Sequence, residues 1–522
     1  MAVPTFSASD YLLRPADDAA TAGRLAITGP GGDLTYADLA ERVRHVAAGL
    51  RALGLRPEER VVLFMADGPA MVAAILGAMR LGAVPVPVST MLTGGELAAL
   101  LADSRARILL LSDRYAETGA QAAARTPGLT HVVVDGSAPL DGRPVRFADL
   151  VEQGRRNGTP AEPYATSPDS TALWLYTSGT TGTPKGAVHR HANIAHVVEG
   201  YGRQVLGITP EDRCYSVAKL FFAYGIGNSL FFPLATGATT ILDPDPPTPA
   251  SVAERLVTYR PTLFFAVPTF YAALLRADLD PAVFSSVRQA VSAGEPLPAE
   301  LCRAFTAKYG VEIIDGIGST ECLHIFLSNR PGEVRPGTTG VPVPGYELRL
   351  VDGDGRDVEP GRPGSLLVKG ASIATGYWCR TDATRQVFQG EWLRTGDTYV
   401  MDDLGYYTCL GRTGDMLKVG GIWVSPAEVE ARLLEHPAVA MAAVVGMPDA
   451  DGLDKPVACV VPAEGATAGA EELIAFCRAG LASFKRPREV LFVDELPTTP
   501  TGKLRRFAVR ELAANMLQTL DA

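Results

Sequence analysis

The sequence predicts an α/β protein with largely parallel sheets, divided into a large N-terminal part and a small C-terminal part. Apolar strand-like runs alternate with helical stretches through most of the 522 residues, and this alternation is typical of parallel-sheet proteins. At about 150 residues per domain, the length allows two to four domains. The apolar content of 47% is enough for a sizeable packed core.

The N-terminal half begins with clear helix and strand signals. The stretch 35–54 has apolar residues at helical spacing, with Thr35 and Asp38 as a capping pair and Gly54 at the end. The alternation then continues with a strand at 60–65, a helical run through Met79, a strand at 83–88, a second capping pair of Thr93 and Glu96, and a strand at 107–112.

The remaining elements complete the predicted organisation. Residues 113–170 are rich in Gly, Pro and Ser and are expected to be a loop that leads into a strand at 172–176. Short β elements at 348–352 and 364–370 predict a small β subdomain. The pattern restarts after Gly411, with a helix expected from Ser425, so we expect an N-terminal domain at 1–411 and an α+β C-terminal domain at 412–522.

Charge and composition exclude several classes of protein. With 48 Lys and Arg against 58 Asp and Glu, the net charge is −10, which argues against a nucleic-acid partner. The longest apolar stretch, 71–88, is interrupted by Arg80 and two prolines, so no transmembrane helix is expected. The N-terminus has no secretion signal, and the seven cysteines are scattered without a CxxC pair, so we expect a cytoplasmic protein without structural zinc.

The strongest chemical signal is the segment YTSGTTGTPKG at 176–186. Small and hydroxyl residues follow an apolar strand, and such a loop can surround phosphates with backbone N–H groups while Lys185 adds positive charge. The segment does not match the P-loop motif, because Lys185 lies three residues after Gly182 and precedes Gly186. The expected phosphate contacts are Thr177, Ser178, Gly179, Thr180, Thr181, Gly182 and Lys185.

This segment resembles the signature of the adenylate-forming superfamily, which includes acyl-CoA synthetases, carrier-protein adenylation domains and luciferases. Further segments agree in the same order: SAGEPLP at 292–298, DGIGSTE at 315–321, LRTGD at 393–397, GRTGDMLKVGG at 411–421 and LPTTPTGKLRR at 496–506. The resemblance covers roughly residues 20–515. It implies an enzyme that uses ATP and Mg²⁺, with a mobile C-terminal domain.

The resemblance assigns roles to individual residues. Glu321 is the expected magnesium ligand, which suits a hard cation, and Lys503 is expected to bridge the substrate carboxylate and the α-phosphate. The other implied ATP contacts are Gly294, Glu295, Pro296, Asp315, Gly316, Ile317, Ser319, Thr320, Asp397 and Arg412. Two positions depart from the pattern: Ile317 replaces a common aromatic residue, and Gly414, followed by Asp415, replaces a common acidic hinge residue.

The substrate is indicated by KLFFAYGIGNSLFFPLATGATT at 219–240, where aromatic residues surround small ones. This composition suits a short, flat, apolar pocket, although a buried core helix is the favoured interpretation for Phe231 and Phe232. Together with 316–340, the block resembles benzoate-CoA ligases and their aryl-acid relatives. The implied substrate contacts are Ala223, Tyr224, Gly225, Gly318, His324 and Ile325. His324 could hydrogen-bond a carboxylate or be a satisfied core histidine.

The resemblance implies two half-reactions, formation of an aryl-AMP and its transfer to a pantetheine thiol. The block supplies no acid for an ammonium group, so benzoate or a close analogue is expected rather than an amino acid. Lys418, Gly420 and Gly421 are expected near the pantetheine, although the glycines could equally form a turn. The acceptor could be coenzyme A or an acyl carrier protein. A phosphotransferase that releases ADP and a silent adenylate-binding scaffold are alternative functions, and the oligomeric state stays open.

Overall fold

The structure, a computed structural model, describes residues 5–137, 144–156, 163–178, 184–419, 422–448, 454–481, 485–498 and 504–520. The first elements are α1 (Ala8–Leu13), β1 (Leu25–Thr28), β2 (Leu34–Thr35), α2 (Tyr36–Ala52), β3 (Arg60–Phe64), α3 (Pro69–Arg80), β4 (Val84–Pro87), α4 (Gly94–Ser104), β5 (Ile108–Ser112), α5 (Ala116–Ala124), β6 (His131–Asp135), β7 (Val145–Arg146) and α6 (Phe147–Arg156).

The elements that follow carry most of the predicted site. They are β8 (Thr171–Ser178), β9 (Pro184–Arg190), α7 (His191–Val197), β10 (Arg213–Ser216), α8 (Ala223–Ile226), α9 (Phe232–Thr236), β11 (Thr239–Ile241), α10 (Pro249–Tyr259), β12 (Leu263–Ala266), α11 (Pro268–Arg276), β13 (Gln289–Ser292), α12 (Ala299–Tyr309), β14 (Ile313–Gly318), β15 (Ile325–Ser328) and β16 (Val341–Pro342).

The last third of the chain holds shorter units. A β-rich part contains β17 (Tyr346–Val351), β18 (Gly364–Gly370), α13 (Thr381–Val387), β19 (Phe388–Gln389), β20 (Trp392–Met401) and β21 (Tyr407–Arg412). The C-terminal part contains β22 (Leu417–Val419), β23 (Ile422–Val424), α14 (Pro426–Leu434), β24 (Val439–Pro448), β25 (Asp454–Pro462), α15 (Ala470–Gly480), β26 (Glu489–Phe492) and α16 (Arg506–Leu520).

Two large sheets organise the N-terminal part. One has the strand order β16-β15-β14-β13-β12-β10-β11-β1-β2, and its central strands, from β14 to β1, are parallel. The other has the order β4-β3-β5-β6-β7 and is parallel throughout. Strand β5 is buried along its whole length, and its sequence is almost entirely apolar. Such runs are typical of parallel sheets, because both of their faces are covered. The predicted α/β class with largely parallel sheets is therefore confirmed.

Smaller sheets account for the remaining strands. β8 and β9 form an antiparallel hairpin, and β17 to β21 form the small antiparallel β subdomain that the sequence predicts. In the C-terminal part, β24 and β25 are antiparallel, and β26 is parallel to β25. The domain boundary after residue 411 stays a prediction. Within the part of the chain that the structure describes, no helix combines the length and apolarity needed to cross a bilayer.

Local signals place several elements correctly. Thr35 and Asp38 form a capping box at the start of α2, Thr93 and Glu96 form one at the start of α4, and Ser425 caps α14. The prediction of a loop over 113–170 is wrong. That stretch contains α5, β6, β7 and α6, because apolar side chains such as Ala122, Val133 and Leu150 are buried in the core.

Candidate active site

The described ends of the predicted phosphate segment, 176–178 and 184–186, belong to the paired strands β8 and β9. Residues 172–175 of β8 are buried, and the pairing of Thr177 with Lys185 brings the two ends of the segment side by side. The predicted contacts Gly179, Thr180, Thr181 and Gly182 lie outside the described residues, as do Gly420, Gly421 and Lys503. The described ends of the segment therefore lie on two paired antiparallel strands.

Lys185 and Glu321 meet at the ring of Tyr377. The ammonium of Lys185 lies 5.5 Å from the centroid of the Tyr377 ring, within the range of a cation–π interaction. The hydroxyl of Tyr377 donates a hydrogen bond of 2.6 Å to Oε1 of Glu321. Burial, reinforced by the Glu321 carboxylate, raises the pKa of Tyr377 far above its usual value, so the hydroxyl stays the donor. The predicted phosphate-binding cation and the predicted metal-binding carboxylate therefore lie around one side chain.

The turn that carries Thr320 and Glu321 is held from both sides. Nε2 of His189, on β9, lies 2.8 Å from the carbonyl oxygen of Thr320, and the N–H of Ala374 donates to the carbonyl oxygen of Glu321. Within the turn, Oγ of Ser319 accepts from the N–H of Cys322 at 3.1 Å. Since a carbonyl can only accept, His189 carries its proton on Nε2. Burial lowers the pKa of His189 to about 4, so the imidazole is neutral at neutral pH.

The segments predicted to bind adenine leave two neighbouring parallel strands at their carboxyl ends. β13 and β14 pair with Ser292 opposite Asp315, so 292–298 and 315–321 begin side by side. Ligands of open α/β sheets bind at such carboxyl ends. Gly294 and Pro296 are exposed here, while Oε2 of Glu295 accepts a 2.6 Å hydrogen bond from the hydroxyl of Thr269.

Asp315 is the most unusual residue of this region. It is 7% exposed, and its Oδ1 atom has no hydrogen-bond partner among the described residues. Burial raises the pKa of Asp315 well above its usual value. A buried polar atom without a partner is costly, so a donor on a bound nucleotide would satisfy it. The neighbouring Ile317 is half-buried against the core of the small β subdomain, and Gly316 pairs with Ser328.

The predicted ribose contacts lie opposite each other on β20 and β21. Asp397 pairs with Arg412, and their side chains form an ion pair with 3.2 Å between Oδ1 and Nε. Nη1 of Arg412 also donates to the carbonyl oxygen of Thr395. The antiparallel pairing therefore brings together two residues that lie 15 positions apart in the chain, and their role as ribose contacts stays a prediction.

The predicted hinge residues, Gly414 and Asp415, lie between β21 and β22. Oδ2 of Asp415 lies 3.4 Å from Nε of Arg506, and Arg506 also forms a bidentate ion pair with Glu430 at 2.6 and 2.8 Å. No atom would contact a Cβ added at Gly414 within 4 Å. An acidic side chain at Gly414 therefore has space.

The aryl block, residues 219–240, folds as α8, a π-helical turn at Gly227–Phe231, and α9. The hydroxyl of Tyr224 donates to the carbonyl oxygen of Val291 at 3.0 Å, which leaves the ring as an apolar surface. Gly225 cannot carry a side chain, because a Cβ there would lie 2.0 Å from the carbonyl oxygen of Lys219. Phe231 and Phe232 are fully buried, so the core interpretation favoured for them is confirmed.

Gly318, His324 and Ile325 come next to the aryl block through the β14–β15 turn. Gly318 pairs with Ile325, and His324 is 1% exposed. Nε2 of His324 lies 3.1 Å from Oδ1 of Asn228 and 3.3 Å from the carbonyl oxygen of Tyr224. Both partners are acceptors, so Nε2 carries the proton. Burial lowers the pKa of His324 to about 3, and a neutral imidazole whose N–H is already used does not favour the expected hydrogen bond to a carboxylate.

Asp67 anchors the start of the aryl block, a role that the sequence did not reveal. It follows β3 in the five-stranded sheet, and both of its oxygens accept from the N–H of Leu220 at 3.1 and 3.2 Å. Lys219 donates to the carbonyl oxygens of Asp243 and Asp245, each at 2.6 Å. Burial raises the pKa of Asp67 to about 6.

Four residues of the site were missed from sequence: Asp67, His189, Asn228 and Tyr377. Three of them contact a predicted residue that lies far away in the chain, as Tyr377 contacts Glu321 across 56 positions, and Asp67 contacts Leu220 of the aryl block. No local spacing marks such contacts. A polar residue inside an otherwise apolar block, as Asn228 is, was the one available signal.

Comparison with known proteins agrees with this geometry. A family model described as AMP-binding enzyme matches residues 15–378, and one described as AMP-binding enzyme C-terminal domain matches residues 428–503. The chain is 45% identical to a benzoate–CoA ligase of Thauera aromatica over 511 residues, which cover 97% of this chain and 96% of that one. It is 42% identical to a 4-hydroxybenzoate–CoA/benzoate–CoA ligase of Rhodopseudomonas palustris, over 96% of this chain and 93% of that one.

A solved structure is similarly close. The crystal structure of a benzoate CoA ligase from Burkholderia xenovorans superposes with a TM-score of 0.87 at 44% identity, covering 97% of this chain and all of that one. The matched family model spans well over half of the chain, and the motifs that carry the resemblance lie in the order and at the sheet edges described above. The chain therefore belongs to the AMP-binding enzyme family, within the adenylate-forming superfamily.

Proposed function

We propose that this chain is an ATP-dependent aryl acid–CoA ligase that acts on benzoate or a close analogue. The carboxylate oxygen attacks the α-phosphorus of ATP, and the bond to pyrophosphate breaks, which gives an aryl-AMP. A pantetheine thiol then attacks the aryl carbonyl, and AMP leaves as the thioester forms. The relatives named above as benzoate–CoA ligases, which match nearly the whole chain, support this assignment.

The observation that carries the proposal is the position of the turn at 318–325 between two sites. The carbonyl oxygen of Thr320 is bonded to His189, on the strand that leaves the phosphate segment. Four residues later, His324 is bonded to Tyr224 and Asn228 of the aryl block. The same turn carries Glu321, which is bonded to Tyr377, whose ring lies 5.5 Å from the ammonium of Lys185 in the phosphate segment. This arrangement supports attack of an aromatic carboxylate on ATP, which needs the two sites close together.

In this reaction the chain's own residues position ATP and stabilise charge. Lys185 and the N–H groups of the phosphate segment would hold the β- and γ-phosphates, and Thr320 would contact the α-phosphate. Asp315 would accept a hydrogen bond from adenine, and Asp397 would accept from the ribose hydroxyls. Ala223, Tyr224, Gly318 and Ile325 would surround the aromatic ring.

Glu321 fits a role as a magnesium ligand. Its Oε1 atom accepts from Tyr377, which leaves Oε2 for a hard cation, and Mg²⁺ bound through one carboxylate and substrate phosphates is common. No group of three or more His, Cys, Asp or Glu side chains that could hold a metal occurs among the described residues, so substrate phosphates would supply much of the coordination. Mg²⁺ would neutralise phosphate charge as pyrophosphate leaves.

The C-terminal part, which we place at 412–522, would contribute different residues to the two half-reactions. Lys503 would bridge the carboxylate and α-phosphate during adenylation, and rotation about Gly414 and Asp415 would then present Lys418, Gly420 and Gly421 to the pantetheine arm. The Asp415–Arg506 ion pair links the proposed pivot to α16 of the C-terminal part.

The test is an acid-dependent exchange of pyrophosphate into ATP. Benzoate, hydroxybenzoates, aminobenzoates, cinnamate, fatty acids and amino acids would be compared, and CoA would then be added while AMP is followed. Exchange with benzoates and thioester formation with CoA are expected. Exchange without CoA turnover would indicate a carrier-protein acceptor, release of ADP would indicate a phosphotransferase, and absence of exchange would exclude adenylation.

A further inference from the structure

We propose that Asp103 is a positioning residue for the half-reaction that releases pyrophosphate. It lies near the end of α4, a helix that packs on the five-stranded sheet. Its side chain and its carbonyl oxygen hold two stretches of chain that flank Lys185 and Tyr377. The inference rests on the proposed function, which assigns Lys185 to the phosphates of ATP and Glu321 to magnesium.

The two carboxylate oxygens of Asp103 are bonded to different stretches of the chain. Oδ2 accepts a 2.7 Å hydrogen bond from the hydroxyl of Tyr176, the first residue of the predicted phosphate segment. Oδ1 forms a 2.6 Å ion pair with Nη2 of Arg380, three residues after Tyr377. Burial, reinforced by the bond to Asp103, raises the pKa of Tyr176 far above its usual value, so this hydroxyl is the donor. One side chain therefore joins the two stretches.

The backbone of Asp103 adds a third bond. Its carbonyl oxygen accepts a 3.0 Å hydrogen bond from Nε1 of Trp378. The N–H of Trp378 in turn donates to the carbonyl oxygen of Gly186 at 2.8 Å. Trp378 follows Tyr377 and Gly186 follows Lys185, so this bond holds the two functional side chains next to each other.

Aromatic side chains pack closely at this junction. The ring of Tyr176 lies over Gly186, where an added Cβ would be 3.4 Å from Cζ of the tyrosine. The ring centroids of Trp378 and Trp174, on β8, are 4.7 Å apart, and the guanidinium of Arg105 lies 5.3 Å from the Trp378 ring. Closely packed side chains transmit a displacement to their neighbours, so a shift of one stretch would move the other.

The groups between these anchors are the ones expected to act on ATP. Lys185 lies 5.5 Å from the ring of Tyr377, whose hydroxyl donates a 2.6 Å hydrogen bond to Glu321. A misplacement of about 1 Å can cost about 100-fold in rate, even when the changed residue lies away from the reacting atoms. Loss of the Asp103 contacts should therefore weaken the use of ATP, although Asp103 itself is not expected to touch the nucleotide.

The inference separates the two half-reactions. Lys185 and magnesium bound at Glu321 would act on the phosphates that leave as pyrophosphate. During thioester formation the pyrophosphate has already left, so the positions of these groups no longer matter. Asp103 should therefore affect aryl-AMP formation and spare the transfer of the aryl group from AMP to the thiol.

The experiment measures both half-reactions in the wild type and in variants. Asp103→Leu removes both carboxylate contacts, Asp103→Asn removes the charge and retains one acceptor, and Tyr176→Phe removes one hydroxyl while it keeps the ring over Gly186. Pyrophosphate exchange would be followed over a range of ATP and benzoate concentrations. Thioester formation would be started separately from supplied aryl-AMP and CoA.

Asp212→Asn is the matched control. Its two carboxylate oxygens accept from Arg288 at 2.8 and 2.9 Å, and one of them accepts from the hydroxyl of Thr262 at 2.6 Å, so its partners resemble those of Asp103. Asp212 directly precedes β10, at the amino ends of the parallel strands, whereas the candidate site lies at their carboxyl ends. This variant reports the effect of a lost ion pair away from the site.

In Asp103→Leu, KM for ATP should rise by about tenfold or more, as expected for lost hydrogen bonds to a charged group. Asp103→Asn and Tyr176→Phe should show smaller rises in the same constant. KM for benzoate and the rate of thioester formation from aryl-AMP should stay unchanged, and Asp212→Asn should leave KM for ATP as it is. A purely structural role of Asp103 would instead lower kcat of both half-reactions equally.

Two results would overturn the inference. One is an unchanged KM for ATP in both Asp103 variants, and the other is an equal loss in the two half-reactions. If Asp103→Leu does not fold, Asp103→Asn and Tyr176→Phe provide the same comparison. Failure of the proposed function would look different, because the wild type itself would then show no acid-dependent exchange.

Discussion

The hydroxyl of Tyr377 and the carboxylate of Glu321 are joined by a 2.6 Å hydrogen bond across 56 positions of the chain. The same tyrosine ring lies 5.5 Å from the ammonium of Lys185. A carboxylate binds a metal ion well only when its free oxygen points at the ion. A hydrogen bond to the other oxygen, such as the one from Tyr377, fixes this orientation. Tyr377 therefore connects the two charged groups on which ATP binding is expected to depend.

Removing this hydroxyl should weaken magnesium use while it preserves the ring. In Tyr377→Phe, we expect the Mg²⁺ concentration for half-maximal exchange to rise by about tenfold or more, because residues that orient a metal ligand typically contribute that much. A Mg²⁺ titration of the exchange rate measures this shift, and Mn²⁺ binding in the presence of ATP provides a readout independent of turnover. An unchanged Mg²⁺ titration would show that Glu321 does not depend on the Tyr377 hydroxyl to bind Mg²⁺.

Lys503 should affect only one of the two half-reactions. We expect Lys503→Ala to slow aryl-AMP formation by about 10²- to 10³-fold, the usual effect of losing one preorganised charge at a transition state. Thioester formation from supplied aryl-AMP should be spared, since this lysine is not expected to contact the thiol. Separate assays of both steps test the assignment, and an equal loss in both would contradict it.

Enlarging Ala223 should narrow the range of acids. Ala223 begins α8 beside Tyr224, and a larger side chain there would occupy space that ring substituents need. In Ala223→Leu, we expect kcat/KM for substituted benzoates to fall relative to kcat/KM for benzoate. The fall should correspond to about 1–3 kcal/mol in activation free energy. The exchange assay with the full panel of acids measures this ranking. If the ranking stays fixed, Ala223 does not contact the ring.

Asp67 should make stability depend on pH in an unusual direction. Its folded-state pKa of about 6 exceeds the usual value of 3.8, so between these pH values the folded chain keeps a proton that the unfolded chain releases. The contribution of Asp67 to the free energy of unfolding therefore falls as pH rises from about 4 to 6, by about 3 kcal/mol in total. Burial depresses the pKa values of His189 and His191 to about 4, which gives slopes of the opposite sign.

Asp67→Asn isolates this contribution, because asparagine keeps an acceptor for the N–H of Leu220 and does not ionise. We expect the variant to gain stability relative to the wild type as pH rises through this window. Urea unfolding of both proteins at several pH values between 4 and 7 measures the difference. If the difference in stability does not change with pH, the pKa of Asp67 in the folded chain is not raised.

Local patterns predicted the parallel sheets, the capping boxes of α2 and α4, and the small β subdomain, because each depends on spacing within a few residues. The Gly, Pro and Ser content of 113–170 predicts a loop, whereas the structure has α5, β6, β7 and α6 there. For the site, the sequence predicts the motif residues, whose roles stay predictions, and gives no sign of the contacts of His189, Asn228 and Tyr377. Their partners lie 131, 96 and 56 positions away, and periodicity contains no information about contacts at such distances.

The walls of the aryl block at Gly225 and Gly227 are made by backbone and by a buried imidazole, with no space for even a methyl group. A larger residue at Gly225 or Gly227 would require the backbone near Lys219 or the ring of His324 to move. A directed-evolution library aimed at the proposed aryl site should therefore leave these two glycines unchanged and place its diversity at other positions of the block, such as Ala223.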